Sequence, residues 1–208
     1  MVSVIKQSQR LIVIVTALMT ALCVTDAVAG KCRDSVKIGA VKYPLNNFWC
    51  GKAIPKFDLA YHRGLVLIPQ NLTLDDFQIT VLPQTRKAFI KMAKAAKKDS
   101  VFLIADSGFR SRAFQRKIIR ERMATGLAFR EVILSVAPPG YSEHHTGRAL
   151  DLAPSEIEFA TSKTYRWLKQ NAAKFGFYET MPRNPEGPAF WEPWHWSWQG
   201  DRLASAVK

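Results

Sequence analysis

The sequence predicts an α+β fold, and three observations carry that reading. Helix-like amphipathic stretches near 83–98, 113–124 and 162–175 are interleaved with short extended runs near 101–106, 147–154 and 191–200. The two kinds of element follow no regular βαβ rhythm, so a doubly wound parallel sheet is not expected. The 208 residues suffice for one domain with a real core, and 48% hydrophobic against 23% charged residues fits a globular chain.

The N-terminus reads differently from the rest. Lys6 and Arg10 precede the apolar run "LIVIVTALMTAL", and "AVAG" follows with Ala27 and Ala29 in the small-residue positions of a cleavage site. That is the three-part pattern of a secretory signal. The apolar run is short for a membrane-spanning helix and Asp26 sits at its end, which favours cleavage after Ala29 over a retained anchor. Leu22 before Cys23 is too bulky for a lipidation signal. The expected organisation is a signal peptide over 1–29, an N-terminal wrapping segment over 30–79 and a core over 80–208.

Cleavage would remove Cys23 and leave Cys32 and Cys50. In an oxidising compartment, two cysteines outside a metal-ligand spacing read as a disulfide rather than as two buried thiols. A loop of that size is worth about 3 kcal/mol in the chain-entropy account.

The net charge is +13, and removal of Lys6, Arg10 and Asp26 lowers it by one. Such a field favours anionic partners, and export makes nucleic acid the least expected of them, behind an anionic wall or membrane surface. In "RKAFIKMAKAAKK", Lys87, Lys91, Lys94 and Lys98 form one helical stripe and Phe89, Met92, Ala93 and Ala96 another. The lysine stripe reads as a solvated face in preference to a dedicated binding site.

Along the chain, Pro44, Asn46, Asn47, Gly51, Pro55 and Pro69 keep the segment up to about 75 irregular, with short strands only. A helix is expected from about Pro83 to Lys98, with Pro83 in its first turn. "VFLIAD" at 101–106 reads as a buried strand followed by Gly108. A second basic helix runs over about 113–124 and stops near Gly126. "GRALDLAP" alternates Gly147, Ala149 and Asp151 against Arg148, Leu150 and Leu152, as a strand does. A helix over about 162–175 ends at Gly176, and in "WEPWHWSWQG" Trp194, Trp196 and Trp198 alternate with His195 and Ser197 in a last strand.

The run "SEHHTGRALD" at 142–151 carries the chemistry. Gly147 and Ala149 share a strand face with Asp151 and are expected to leave open volume beside its carboxylate, with His144 at the strand's entry. A divalent metal held by one imidazole and one carboxylate fits there but needs a third ligand. The chain has four histidines, and among the others His62 lies in the N-terminal segment while His195 lies in the tryptophan-rich strand. Glu192, three residues before His195, is a candidate general base in surroundings dried by tryptophan, which raises a carboxyl pKa. A lone His–Asp pair is commoner as a hydrogen bond and the tryptophans are commoner as core, so spacing alone leaves both readings open.

These residues carry a family likeness. "SEHHTGRALD" fits Ser-x-His-x-x-Gly-x-Ala-x-Asp and "EPWHW" fits Glu-x-x-His. Together with "SGFRS" at 107–111, Gln115 and "WLKQNAAKFGF" at 167–177, they resemble the VanY-type zinc D-alanyl-D-alanine carboxypeptidases and the related LD-carboxypeptidases over roughly residues 80–200. The resemblance implies Zn2+ held by His144, Asp151 and His195, with His145 only a neighbour. It makes Glu192 the base that takes a proton from the attacking water and passes it to the leaving amine. Arg110 would stabilise the oxyanion or hold a substrate carboxylate, while Gln115 and Ser142 would hydrogen-bond substrate. It also implies a single compact domain whose small, mostly antiparallel sheet carries the zinc site, with helices packed around it.

The implied substrates are peptidoglycan stem peptides in the periplasm or cell envelope of a bacterium, trimmed of a C-terminal D-alanine. An endopeptidase, or a wall-binding protein that keeps zinc without catalysis, is the alternative. One stretch departs from the family pattern: Thr180 and Met181 in "YETMPRNP" stand where arginine and tyrosine are expected.

Overall fold

The structure, a computed structural model, describes residues 32–56, 59–60, 64–183 and 191–200. The signal segment expected over 1–29 and His62 lie outside the described residues. The elements are β1 (Ser35–Ile38), β2 (Val41–Pro44), β3 (Val66–Leu67), β4 (Thr80–Val81), α1 (Pro83–Lys98), β5 (Ala105–Ser107), α2 (Arg112–Ala124), α3 (Phe129–Val132), β6 (Ala149–Leu152), α4 (Lys163–Asn171), β7 (Phe177–Glu179) and β8 (His195–Trp198). The architecture is α+β.

Each helix begins and ends for local reasons. Pro83 occupies the first turn of α1, where its missing N–H costs nothing, and Lys97 and Lys98 close the helix against the negative end of its dipole. The Ser111 and Ser162 hydroxyls cap α2 and α4 by accepting from the Phe114 and Tyr165 N–H groups at 3.0 and 2.9 Å. The last predicted helix is α-helical only to Asn171; a tighter 3-10 turn, Ala172–Phe175, completes it, and Gly176 at φ 78° terminates it in the left-handed region.

The main sheet has the order β5-β6-β8-β7, with each neighbouring pair antiparallel. One face packs on helices. Phe89 and Met92 of α1 and Leu168 of α4 meet Leu150, Leu152, Phe177 and Trp196 of the sheet in one buried cluster. Burying a side chain of this size stabilises by about 1.5–3 kcal/mol, so this cluster fixes the helical layer. A second cluster joins Val36, Ile38 and Trp49 of the N-terminal segment to Ile119, Phe129 and Ile133. The Cys32–Cys50 disulfide closes that segment with Cα atoms 5.6 Å apart, and the Trp49 indole donates to the Ile133 carbonyl at 2.9 Å.

Two expectations need correction. The hydrogen-bonded strand after α1 is Ala105–Ser107, not the whole of 101–106. Val101 and Leu103 are buried there, but Phe102 is 66% exposed, so the run alternates instead of being buried on both faces. Strand β6 starts at Ala149, and Gly147 is not on its open face. It sits at φ 65° at the end of the Glu143–Thr146 turn, where a Cβ would lie 3.0 Å from Leu65 Cδ2. Its glycine serves the turn and a close packing contact. The reading of the tryptophans as core agrees with the structure: Trp196 belongs to the buried cluster, and Trp194 and Trp198 pack against it. Trp196 and Trp198 lie on the strand face opposite His195, Trp196 fully in the core and Trp198 half-buried against it.

Candidate metal centre and cleft

Strand pairing brings the ligand candidates together. Asp151 on β6 stands directly opposite His195 on β8, and Ser107 of β5 flanks Asp151 on its other side. Odd positions of β8 point away from the helical layer, so His195 shares a face with Asp151. The turn Glu143–Thr146 then returns His144 to the same place. His144, Asp151 and His195 are 4%, 7% and 2% exposed, and their candidate ligand atoms lie within 4.8 Å of one another.

The outer nitrogen of each ring is committed. His144 Nδ1 donates to the Gly108 carbonyl at 2.6 Å, and His195 Nε2 donates to Glu143 Oε2 at 3.1 Å. The inner nitrogens then present lone pairs. They face Asp151, with His144 Nε2 3.1 Å from Oδ2 and His195 Nδ1 3.0 Å from Oδ1. Lone pair meets lone pair at both contacts unless an added proton or a cation lies between them. One divalent cation resolves both contacts without burying two imidazolium rings. The donor set of two imidazoles and one carboxylate, each oriented by an outer hydrogen bond, fits zinc.

The electrostatics agree with this packing. Burial would raise the Asp151 carboxyl, but the two histidines outweigh it and hold the group below its ordinary range. Burial would lower His195, yet hydrogen bonds to Asp151 and Glu143 push it up to about 10. His144, with burial dominant and Arg110 nearby, is lowered. Glu143 is also lowered, because its bonds to His195 and Thr180 outweigh burial.

Gly108 explains its place in "SGFRS". A Cβ there would stand 2.6 Å from Ile79 Cγ2 and 2.7 Å from the Thr80 carbonyl oxygen. Only glycine lets the backbone run this close to β4 while its own carbonyl meets His144.

Around the centre opens a cleft of about 240 Å³ whose walls include Arg110, Gln115, Ser142, Met181 and Glu192. Glu192 Oε2 lies 4.0 Å from His195 Nδ1. Its backbone is fixed by donation to the Met181 carbonyl and acceptance from the His195 N–H. Burial raises the Glu192 carboxyl pKa, and the Asp151 and Glu143 charges add to that against His195 and Arg110. Arg110 donates to Ser107 Oγ at 3.1 Å, to Gln115 Oε1 at 3.3 Å and to Asp151 Oδ2 at 3.4 Å. Gln115 is fully buried and donates to the Ala137 carbonyl at 2.7 Å, so one of its contacts serves to hold Arg110.

His145 faces elsewhere. Its Nδ1 donates to the Arg110 carbonyl at 2.6 Å and its Nε2 accepts from the Gly140 N–H at 3.0 Å. Burial lowers its pKa to about 4, which keeps the ring neutral as a brace between two loops.

Two residues of this site went unread in the sequence. Glu143 holds His195, and Thr180 Oγ1 donates to Glu143 Oε2 at 2.7 Å. The second is one of the residues that departs from the family pattern. Neither contact is local, so periodicity gave no signal.

Residues 78–201 match the family described as VanY, D-alanyl-D-alanine carboxypeptidase. A D-alanyl-D-alanine carboxypeptidase of Enterococcus faecalis (strain ATCC 700802 / V583) is 33% identical over 125 residues, 54% of this chain and 46% of that protein. Among solved structures, the LdcB LD-carboxypeptidase is similar at 30% identity and TM-score 0.64, covering 74% of this chain and 76% of the other. A variant of the vancomycin-resistance D,D-pentapeptidase VanY in complex with Zn(II) is similar at 27% identity and TM-score 0.51, covering 68% and 87%. The chain spans about half the length of the curated relatives it matches, 57% and 46% for two of them. Among the described residues no helix is long and apolar enough to cross a membrane. With a match that takes in Arg110, the histidine–aspartate turn and the final strand together, the chain belongs to the VanY family of D-alanyl-D-alanine carboxypeptidases.

Proposed function

We propose that this chain is a zinc-dependent carboxypeptidase that removes the C-terminal D-alanine from peptidoglycan stem peptides. The observation that carries the reading is the juxtaposition of a three-residue metal centre with Glu192, a raised-pKa carboxylate 4.0 Å from His195 on the cleft wall. A site that served structure alone needs no such base.

In this reading His144, Asp151 and His195 hold zinc. Bound zinc supplies a Lewis acid that polarises the scissile carbonyl and eases deprotonation of water. Glu192 accepts the proton of the attacking water on a carboxylate oxygen and returns it to the leaving amine. Arg110, clamped by Ser107 and Gln115, keeps a fixed positive charge beside the developing oxyanion. Gln115 retains one amide N–H beyond its two partners for substrate, and the Ser142 hydroxyl on the cleft wall is the second substrate contact.

The organisation proposed with it is a cleaved signal over 1–29, an N-terminal segment over 30–79 and a peptidase core over 80–208, exported to the bacterial envelope. The Cys32–Cys50 disulfide supports an oxidising compartment. The reading is tested by mass spectrometry of defined tetrapeptide, pentapeptide and cross-linked muropeptides, incubated with the chain with and without a chelator. Chelator-sensitive loss of one terminal alanine is expected. Cleavage of an internal or cross-linking bond makes the chain an endopeptidase, and zinc binding with no cleavage makes it a wall-binding protein.

A further inference from the structure

At the β7–β8 edge of the sheet lies a larger groove of about 570 Å³ that reaches α1. Its walls carry Lys87 and Lys91 from α1, Lys174 from the turn after α4, and the aromatic residues Phe175, Tyr178 and Trp198. None of its described lining residues lines the catalytic cleft. We propose that this groove binds a segment of a linear acidic glycan, apart from the site of hydrolysis.

Among the described residues the charge is concentrated and uncompensated. Lys87, Lys91 and Lys174 are exposed, no carboxylate is among the described lining residues, and among the described residues none of the three forms an ion pair. Lys174 donates to Asn171 Oδ1 instead. Lys87 and Lys91 are one helical turn apart, about 6 Å along the axis, so a polymer with an anionic group on successive residues meets successive ammonium groups.

The aromatic wall supplies what a bare lysine stripe lacks. Trp198 is fixed by two glycines in left-handed conformation: a Cβ at Gly176 would come within 3.0 Å of its Nε1, and one at Gly200 within 3.2 Å of its ring. The Gln199 N–H donates to the Gly176 carbonyl at 2.8 Å and ties these two segments together. The backbone thus packs closely on the indole, and Trp198, Tyr178 and Phe175 are half-buried aromatic residues lining a basic groove. Rings present apolar faces on which the C–H face of a sugar packs, and lysines beside them take its acidic substituents. A flat anionic bilayer meets a convex lysine face better than a concave one. Single-stranded nucleic acid also uses stacking and positive charge, but the exported setting proposed above favours saccharide polymers.

The test is calorimetric titration of the full chain with a polygalacturonate oligosaccharide at low salt. It is repeated with a neutral dextran oligosaccharide, phosphatidylglycerol vesicles and oligothymidylate. Reversal of the groove pair, Lys87→Glu with Lys91→Glu, is expected to weaken polygalacturonate binding at least about tenfold. The same reversal outside the groove, Lys94→Glu with Lys98→Glu, is expected to cost less than about threefold. Tyr178→Ala, which leaves charge unchanged, is expected to cost about fivefold, with its melting curve checking the fold. All three variants keep their hydrolysis of a short soluble pentapeptide. Equal losses from the two lysine pairs, no loss from Tyr178→Ala, or no binding at all overturns the proposal. Tighter binding of vesicles or oligothymidylate than of the glycan, with the same dependence on the groove, replaces the glycan by that partner and also overturns it. Binding is read without turnover, so failure here leaves the proposed peptidase reaction standing, and failure of that reaction leaves this groove to its own test.

Discussion

Glu143 Oε2 lies 3.1 Å from His195 Nε2, across 52 residues of sequence. This contact decides which nitrogen of His195 can serve a metal, since a ring that donates from Nε2 to a carboxylate offers its lone pair at Nδ1. Thr180 completes the arrangement by donating to the same Glu143 oxygen. The site is therefore built in two layers: the candidate ligands inside, and Gly108, Glu143 and Thr180 holding them from outside.

Removing the outer layer should weaken metal binding. Glu143→Ala is expected to lower zinc affinity by about 10–100-fold, measured by competition with a chromophoric chelator. Glu143→Gln keeps an acceptor for the His195 N–H and should lose less. Equal affinity in wild type and Glu143→Ala would remove the proposed role for this carboxylate.

A backbone change should reach His144 in the same way. In Gly108→Ala the new Cβ collides with Ile79 and the Thr80 carbonyl, so the backbone after β5 must shift and carry its own carbonyl away from His144. A loss of about 1–3 kcal/mol in urea unfolding should accompany at least about a tenfold loss in zinc affinity. Lost stability with unchanged zinc affinity would show that the Gly108 carbonyl does not orient the ring.

Arg110 should act on turnover through fixed charge. Arg110→Ala is expected to lower kcat/KM for a pentapeptide by about 10²–10³-fold. Gln115→Ala, which releases one clamp, should lower it less while leaving zinc content unchanged. Kinetics of Arg110→Ala that match wild type would dismiss the assignment.

The N-terminal segment should depend on its cross-link. Cys32→Ser with Cys50→Ser is expected to cost about 3 kcal/mol in chemical unfolding, and the same loss should follow reduction of the wild-type chain. No change under either treatment would mean that the packing of Trp49 and Asp34 holds the segment unaided, through the Ile133 and Tyr141 contacts they make.

The parts legible in the sequence are those governed by local rules. Helix α1 runs from Pro83 to Lys98 because proline, an apolar stripe and terminal lysines all act within a few residues of one another. The buried set Phe89, Met92, Ala93 and Ala96 follows from the 3.6-residue period. The motif points to His144, Asp151 and His195, and the pairing of Asp151 with His195 explains why the spacing works.

What escaped notice depends on register and long-range approach. Glu143 and Thr180 meet only because β7, β8 and the 143–146 turn converge. Gly147 differs from its expected place because sequence alternation continues through a residue that the backbone turns out of the strand. Burial does raise the Glu192 carboxyl, but strand alternation puts Trp196 and Trp198 in the opposite layer, so they are not what dries it.

The central claim is that Glu192 is the base beside a zinc held by His144, Asp151 and His195. It is tested most directly by pentapeptide hydrolysis with Glu192→Gln protein whose bound zinc is first quantified. The expected result is a full zinc complement with turnover reduced by about 10²–10⁴-fold. Wild-type turnover in the zinc-replete variant would contradict the account.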